Sequence, residues 1–143
     1  MTRTLAAALS LLVLYACGDK DTDTGTDTDT DGGDTDAPAD EATFSRVWAE
    51  VIDPVCVQCH GTGSGGLFMP DQPTAYDSLV DMPSVGSPDD IRVVPGSADD
   101  SYIIHKLEGA SDIVGSQMPL SDSVTDEQIQ LVRDWIDAGA LND

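Results

Sequence analysis

Cys56-Val57-Gln58-Cys59-His60 places two thiols three positions apart and an imidazole directly after the second. That C-x-x-C-H spacing is the attachment pattern of a c-type haem. Two thiols add to the two vinyl groups along one porphyrin edge, and the adjacent His presents its imidazole to the iron. The rival readings are a thioredoxin-like pair and half of a zinc site. A zinc site needs further Cys or His ligands, and the only others in the chain are Cys17 and His105. A thioredoxin-like pair follows a strand and opens a helix, whereas Cys59-His60 runs directly into Gly61-Thr62-Gly63-Ser64-Gly65-Gly66. Haem attachment uses all three side chains. A haem ligated by His60 then needs a second axial ligand from a distant part of the chain, and that ligand largely sets its potential.

Export is consistent with this chemistry. Residues 1–16 carry Arg3 and then an apolar run, Leu5 to Leu14, too short to span a bilayer as a mature helix. The run ends Leu14-Tyr15-Ala16-Cys17, which resembles the lipobox of bacterial lipoproteins, although Tyr15 replaces the small residue usual there. That resemblance implies cleavage before Cys17, lipid on its sulfur and acylation of the new N-terminus, a multi-chain membrane anchor. Ordinary secretion, with Cys17 incidental, is the alternative.

Residues 17–42 carry the lipidated cysteine and then a tether. Asp21 to Asp31 alternates acid and threonine with no large apolar residue, so it cannot bury enough surface to offset its ordering entropy. A calcium loop is the sharper alternative. Asp27, Asp29, Asp31 and Gly32 match the opening of an EF-hand, but Pro38 stands where the bidentate Glu belongs. The whole chain has 27 acidic and 6 basic residues, a formal charge of −21 over 143 residues. Such a charge excludes nucleic acid and anionic membrane surfaces as partners and favours a basic docking surface.

Residues 43–143 have room for one small domain. Thr43 is an N-cap candidate, and Phe44, Val47, Trp48 and Val51 follow on one helical face, which Asp53-Pro54 is expected to end. A short helix is expected over Pro73 to Val80, presenting Tyr76, Leu79 and Val80, with Asp81 to Asp90 as loop and Arg92 to Gly96 briefly extended. Ser97, with Asp100 three residues on, is expected to cap a helix carrying Ile103, Ile104 and Leu107, closed by Gly109. After a long loop through Met118-Pro119, Thr125 and Gln128 form a capping box. The last helix then shows Ile129, Val132, Trp135 and Ile136 on one side, with Gly139 at its end. No alternating run is long enough for a sheet, so the domain reads as all-α.

With these pieces placed, residues 43–141 resemble a class I c-type cytochrome, in particular the single-haem domains of exported bacterial lipoproteins. The resemblance rests on the C-x-x-C-H run and the helix before it, Ala75-Tyr76, Val94-Pro95-Gly96, Ser101-Tyr102, Met118-Pro119 and Trp135-Ile136…Gly139-Ala140. It implies a small domain whose first and last helices pack at one edge of a haem c. It also implies Leu67 or Phe68, together with Tyr102, against the porphyrin.

The residues alone leave the sixth iron ligand open. Met69, Met82 and Met118 each precede a proline, and His105 is the non-methionine rival. Met69 lies only nine residues after His60, a reach of at most about 30 Å that leaves no slack to round a porphyrin. The resemblance implies Met118. Arg92, Lys106 and Tyr102 are candidate donors to the haem propionates.

The expected function is a membrane-tethered one-electron carrier, lipid-anchored with its haem domain in the periplasm or at the cell surface, and not an enzyme. An open-site haem protein that binds or reduces a small ligand is the alternative. No nucleophile–base set is recognisable, because His105 has no hydroxyl beside it in any known motif.

Overall fold

In a computed structural model that describes residues 41–121 and 123–143, the first helix begins where expected. Thr43 Oγ1 accepts the Arg46 amide at 3.2 Å and caps α1 (Phe44–Val47). Two more of the amides left over at this helix start are taken by Asp143. Phe44 N–H donates to its Oδ1 at 2.8 Å and Ser45 N–H to its carbonyl at 3.0 Å. The export segment, Cys17 and the Asp/Thr repeat lie outside the described residues. All the described residues belong to one compact unit, and none of their helices is long and apolar enough to cross a membrane.

The expected break at Asp53-Pro54 does not occur. After α1 the chain continues as a π-helical stretch (Trp48–Cys56) and then α2 (Val57–His60), helical through Pro54 to His60. Proline breaks an i→i+4 ladder because it offers no N–H to the carbonyl four residues back and its ring clashes with that carbonyl. Here the bonds run i→i+5 (Val57 N–H donates to the Ile52 carbonyl), so the turn around the ring is wider. The Glu50 carbonyl, which Pro54 cannot serve, accepts from Gln128 Nε2 at 2.6 Å.

Gln128 belongs to α5 (Asp126–Asp137) and also completes the expected capping box. Its N–H donates to Thr125 Oγ1 and its Oε1 accepts from Thr125 N–H, at 3.2 and 3.0 Å. One side chain thus starts the last helix and ties it to the first. Around this crossing the core assembles. The Phe44 and Trp135 rings stand 5.1 Å apart, and Tyr76 meets Phe44 edge-on at the same separation. The polar ends of both larger rings are satisfied. Tyr76 Oη donates to the Ala140 carbonyl and Trp135 Nε1 to the Leu141 carbonyl, each at 2.9 Å. Val47, Ile52, Val132 and Ile136 fill the remaining space, and burying each such side chain contributes about 1.5–3 kcal/mol.

The middle of the chain is a short helix, a loop and another short helix. Asp71 Oδ1 accepts the Thr74 amide at 2.9 Å and caps α3 (Gln72–Leu79), which starts one residue earlier than expected and buries Ala75 and Leu79. Isolated bridges join Val80 to Val93 and Pro83 to Ile91, and no strand forms among the described residues. The next helix, α4 (Tyr102–Glu108), starts later than Ser97 was expected to place it. Ser97 Oγ donates instead to Asp100 Oδ2 at 2.6 Å, and Ser101 holds the cap position. The Ser101 hydroxyl is fully buried and committed elsewhere, accepting from Val94 N–H and donating to the Ser97 carbonyl, both at 2.8 Å. Those bonds fold residues 94–101 into a tight turn, so the helix cannot begin there. Helix α5 packs on both α1 and α4, completing an all-α domain.

The Gln128 amide therefore carries a larger share of stability than a surface glutamine does. Gln128→Ala should lower unfolding stability by about 1–2 kcal/mol in urea titration, through loss of a cap and an inter-helix bond. Gln130→Ala, two positions along on the exposed face, should stay within about 0.5 kcal/mol of wild type.

Candidate functional site

The helical run from Phe44 to His60 sends five residues into a cleft: Val47, Val51, Ile52, Cys56 and His60. A straight α-helix would not do this. It turns about 100° per residue, so position 56 would point away from position 47, half a revolution off. In the π-helical stretch residues five apart stand one turn apart, which brings Cys56 into line with Val51. Cys56 Sγ lies 3.8 Å from the Val51 carbonyl, and His60 follows four residues later. The cleft measures about 240 Å³, or about 1130 Å³ with its open mouth counted, and its walls are mainly apolar. Leu79 contributes from α3, Ile103 and Leu107 from α4, and Val132 and Trp135 from α5.

His60 is oriented by its own loop. Its Nδ1 lies 2.8 Å from the Ser64 carbonyl, an acceptor, so Nδ1 carries the proton and the Nε2 lone pair stays free for a metal. Cys56 and Cys59 are three residues apart at the helix end and so share one side of it. Cys56 is half-buried, and burial pushes its thiol up to about 11, whereas Cys59 is exposed and outside the cleft lining. Gly66 shapes the loop after His60. It has φ +74°, and a Cβ there would come within 2.9 Å of Val85, another cleft residue.

The four candidates for a second axial position separate cleanly in space. Met118 lines the cleft. Met69 lines it too, but its N–H donates to the His60 carbonyl at 2.9 Å, which fixes it beside His60, and it is buried in the core cluster. Met82 is exposed and outside the lining. His105 is also outside, and both its ring nitrogens have acceptors, the Asp99 carbonyl at 2.8 Å and Asp112 Oδ2 at 3.1 Å. The bond to Asp99, helped by Asp112, raises its pKa.

Of the expected packing residues, Leu67 and Tyr102 line the cleft, while Phe68 is half-exposed and does not. Tyr102 is buried, and its Oη accepts the Val114 amide at 2.8 Å.

Charge at the cleft is selective. Arg46 and Arg133 bind carboxylates on the surface. Arg92 and Lys106 line the cleft and, among the described residues, meet no carboxylate within ion-pair distance. Arg92 donates to the Ser78 and Gly66 carbonyls at 2.7 and 3.0 Å, and burial lowers its pKa.

This donor set can be matched against the group that C-x-x-C-H anticipates. The cleft lining holds one imidazole, His60, and two thioethers, Met118 and the Met69 fixed beside His60. Among the described residues no three His, Cys, Asp or Glu side chains converge to hold a metal by themselves. A flat apolar group that brings its own equatorial donors fits this arrangement, with Cys56 in the lining as one attachment point and Cys59 exposed outside it. Val47, Val51, Val132 and Trp135 were legible only as helix core in the sequence; their part in the cleft wall emerges from the packing of the first helical run against α5. No family model, curated protein or solved structure matches the chain.

Differential burial makes the two free thiols unequal. In the protein with both thiols unmodified, iodoacetamide at neutral pH should react with Cys59 first. Modification of Cys56 should rise about tenfold per pH unit from pH 7 to 10 and level off above about 11, because only the thiolate reacts. Mass spectrometry of the two sites against pH checks this. Equal rates at both would contradict the burial of Cys56.

Proposed function

We propose that the chain is a one-electron carrier holding a haem c in this cleft, with thioethers to Cys56 and Cys59 and with His60 and Met118 as axial ligands. One observation carries the proposal: Cys56, His60 and Met118, spread over 62 residues of sequence, line the same apolar cleft. The haem supplies a reversible ferric–ferrous couple. The residues do the rest. The Ser64 carbonyl holds the His60 ring so that Nε2 faces the metal, and the hydrogen bond makes the imidazole a better donor. The Met118 thioether is a soft donor that favours ferrous iron and so raises the potential. Valine and leucine walls exclude water. Arg92 brings positive charge to the cleft, suited to a propionate of a bound porphyrin, while the Lys106 ammonium is committed to the Val114 and Ser116 carbonyls.

With both axial positions filled there is no open coordination site for substrate, which favours a carrier over a ligand-binding or peroxidatic role. The lipobox-like Leu14-Tyr15-Ala16-Cys17 and the acidic segment that follows complete the proposal. They make it an exported, lipid-anchored domain on a tether, working in the periplasm or at the cell surface and meeting redox partners through basic surfaces.

Protein made with a haem-maturation system should keep haem on the polypeptide through denaturing electrophoresis; haem extractable by acid acetone would end the proposal. Wild type should be low-spin with the far-red band of sulfur-ligated ferric haem. Met118→Ala should lose that band, become high-spin, and bind carbon monoxide in the ferrous state at least about tenfold faster. Met82→Ala and His105→Ala should change neither. Persistence of the band in Met118→Ala, or a high-spin wild type, would point to another ligand or to an open site.

Cys17→Ser should release the haem-loaded protein from membranes. Equal retention of wild type and variant in a membrane pellet would remove the anchor from the proposal.

A further inference from the structure

The loop that carries Met118 is fastened to α4, and most of the fastening comes from one residue. Lys106 Nζ donates to the Val114 carbonyl at 3.0 Å and to the Ser116 carbonyl, while its own carbonyl accepts the Met118 amide at 2.8 Å. Three bonds from a single position thus bracket residues 114–118. Two neighbours add to the hold. Tyr102 Oη accepts Val114 N–H at 2.8 Å, and Gln117 Nε2 donates to the Leu107 carbonyl at 2.7 Å. The Gln117 bond requires Gly109, where a Cβ would fall 2.6 Å from the Gln117 amide oxygen, at φ +71°.

The choice of partners is informative. In a chain with 27 acidic residues an exposed lysine finds a carboxylate easily, and Arg46 and Arg133 do so. Lys106 instead directs its ammonium at two backbone carbonyls of an otherwise irregular loop, while lining the cleft that Met118 lines. The loop has no helix or sheet ladder of its own, so these charge-assisted bonds fix where the thioether stands.

We propose that Lys106 is the positioning residue for Met118, and that its ammonium holds the 114–118 loop closed so that the thioether stays on the metal. This rests on the axial assignment above. An unfastened loop lets Met118 leave and return, which opens a coordination site transiently without unfolding the domain.

The test uses haem-loaded protein. Lys106→Met keeps the apolar stem and removes the donors, Lys106→Gln keeps a shorter neutral donor, and Lys106→Arg keeps charge and donors. In Lys106→Met the far-red sulfur–iron band should fade at a temperature well below the loss of helical circular dichroism. Carbon monoxide should bind the ferrous form at least about tenfold faster than in wild type, and amide exchange of residues 110–118 should accelerate in the ferrous protein by a similar factor. Lys106→Arg should restore all three towards wild type, which a general loss of packing would not allow.

If Lys106→Met does not accumulate, Lys106→Gln should show the same changes at smaller amplitude. Band, carbon monoxide rate and exchange within twofold of wild type in Lys106→Met, or in Lys106→Gln where that stands in for it, would overturn the positioning role and leave the axial assignment intact. A wild type lacking the band would overturn the assignment and the inference together. Loss of the band only together with helical unfolding, with no rescue by Lys106→Arg, would reduce Lys106 to a folding residue.

Discussion

Residue 54 is a proline inside a helix, and the chain is arranged around that fact. In an ordinary α-turn its missing N–H would leave the Glu50 carbonyl unserved and its ring would clash. The wider π turn relieves the clash and Gln128 supplies the donor. Because Gln128 also builds the capping box of α5, the start of the last helix and its crossing with the first are set by one amide. The aromatic cluster of Phe44, Tyr76 and Trp135 then closes over that crossing.

The cleft joins two kinds of support. On one side Cys56 and His60 stand on a helical run packed through Val47 and Val51, with the His60 ring hydrogen-bonded to its own loop. On the other, Met118 stands on a loop with no regular structure, held by side chains and carbonyls of α4. The first wall is rigid by construction, and the second is only as rigid as its fastenings. Under the proposed haem ligation, that asymmetry would suit a pair in which His60 is permanent and Met118 tunes the metal.

Much of this was legible in the sequence where the signal is local. Thr43 caps the first helix, Thr125 and Gln128 make the capping box, and Gly109 ends α4, because each depends on residues within one turn. The errors arose where a distant partner overrode a local rule. Pro54 reads as a helix stop, yet the chain runs through it in the wider π turn, beside which Gln128, 78 residues from Glu50, donates to the Glu50 carbonyl. Ser97 and Ser101 look alike as caps, and the Val94 amide decides between them. The Met-Pro dipeptide occurs three times and does not choose by itself; the family resemblance implies Met118, and the fold puts Met118 in the cleft lining and leaves Met82 exposed outside it. The role of Lys106 leaves no trace in the sequence, since its partners are backbone carbonyls that every residue has.

The alignment of Val47, Val51, Cys56 and His60 on one face is stored as a count of residues, not as any particular side chain. The stretch from Trp48 to Cys56 accepts changes of identity at its solvent-facing positions Ala49, Glu50 and Asp53, which contribute no side chain to the cleft. Its length is another matter. Removing one residue there would turn Cys56 and His60 around the helix axis relative to Val47, carrying thiol and imidazole off the cleft while leaving the pentapeptide itself intact. Over evolutionary time, then, this segment is free to drift in composition and closed to insertions and deletions, so a chain with the motif but a different spacing to its first helix cap builds a different site.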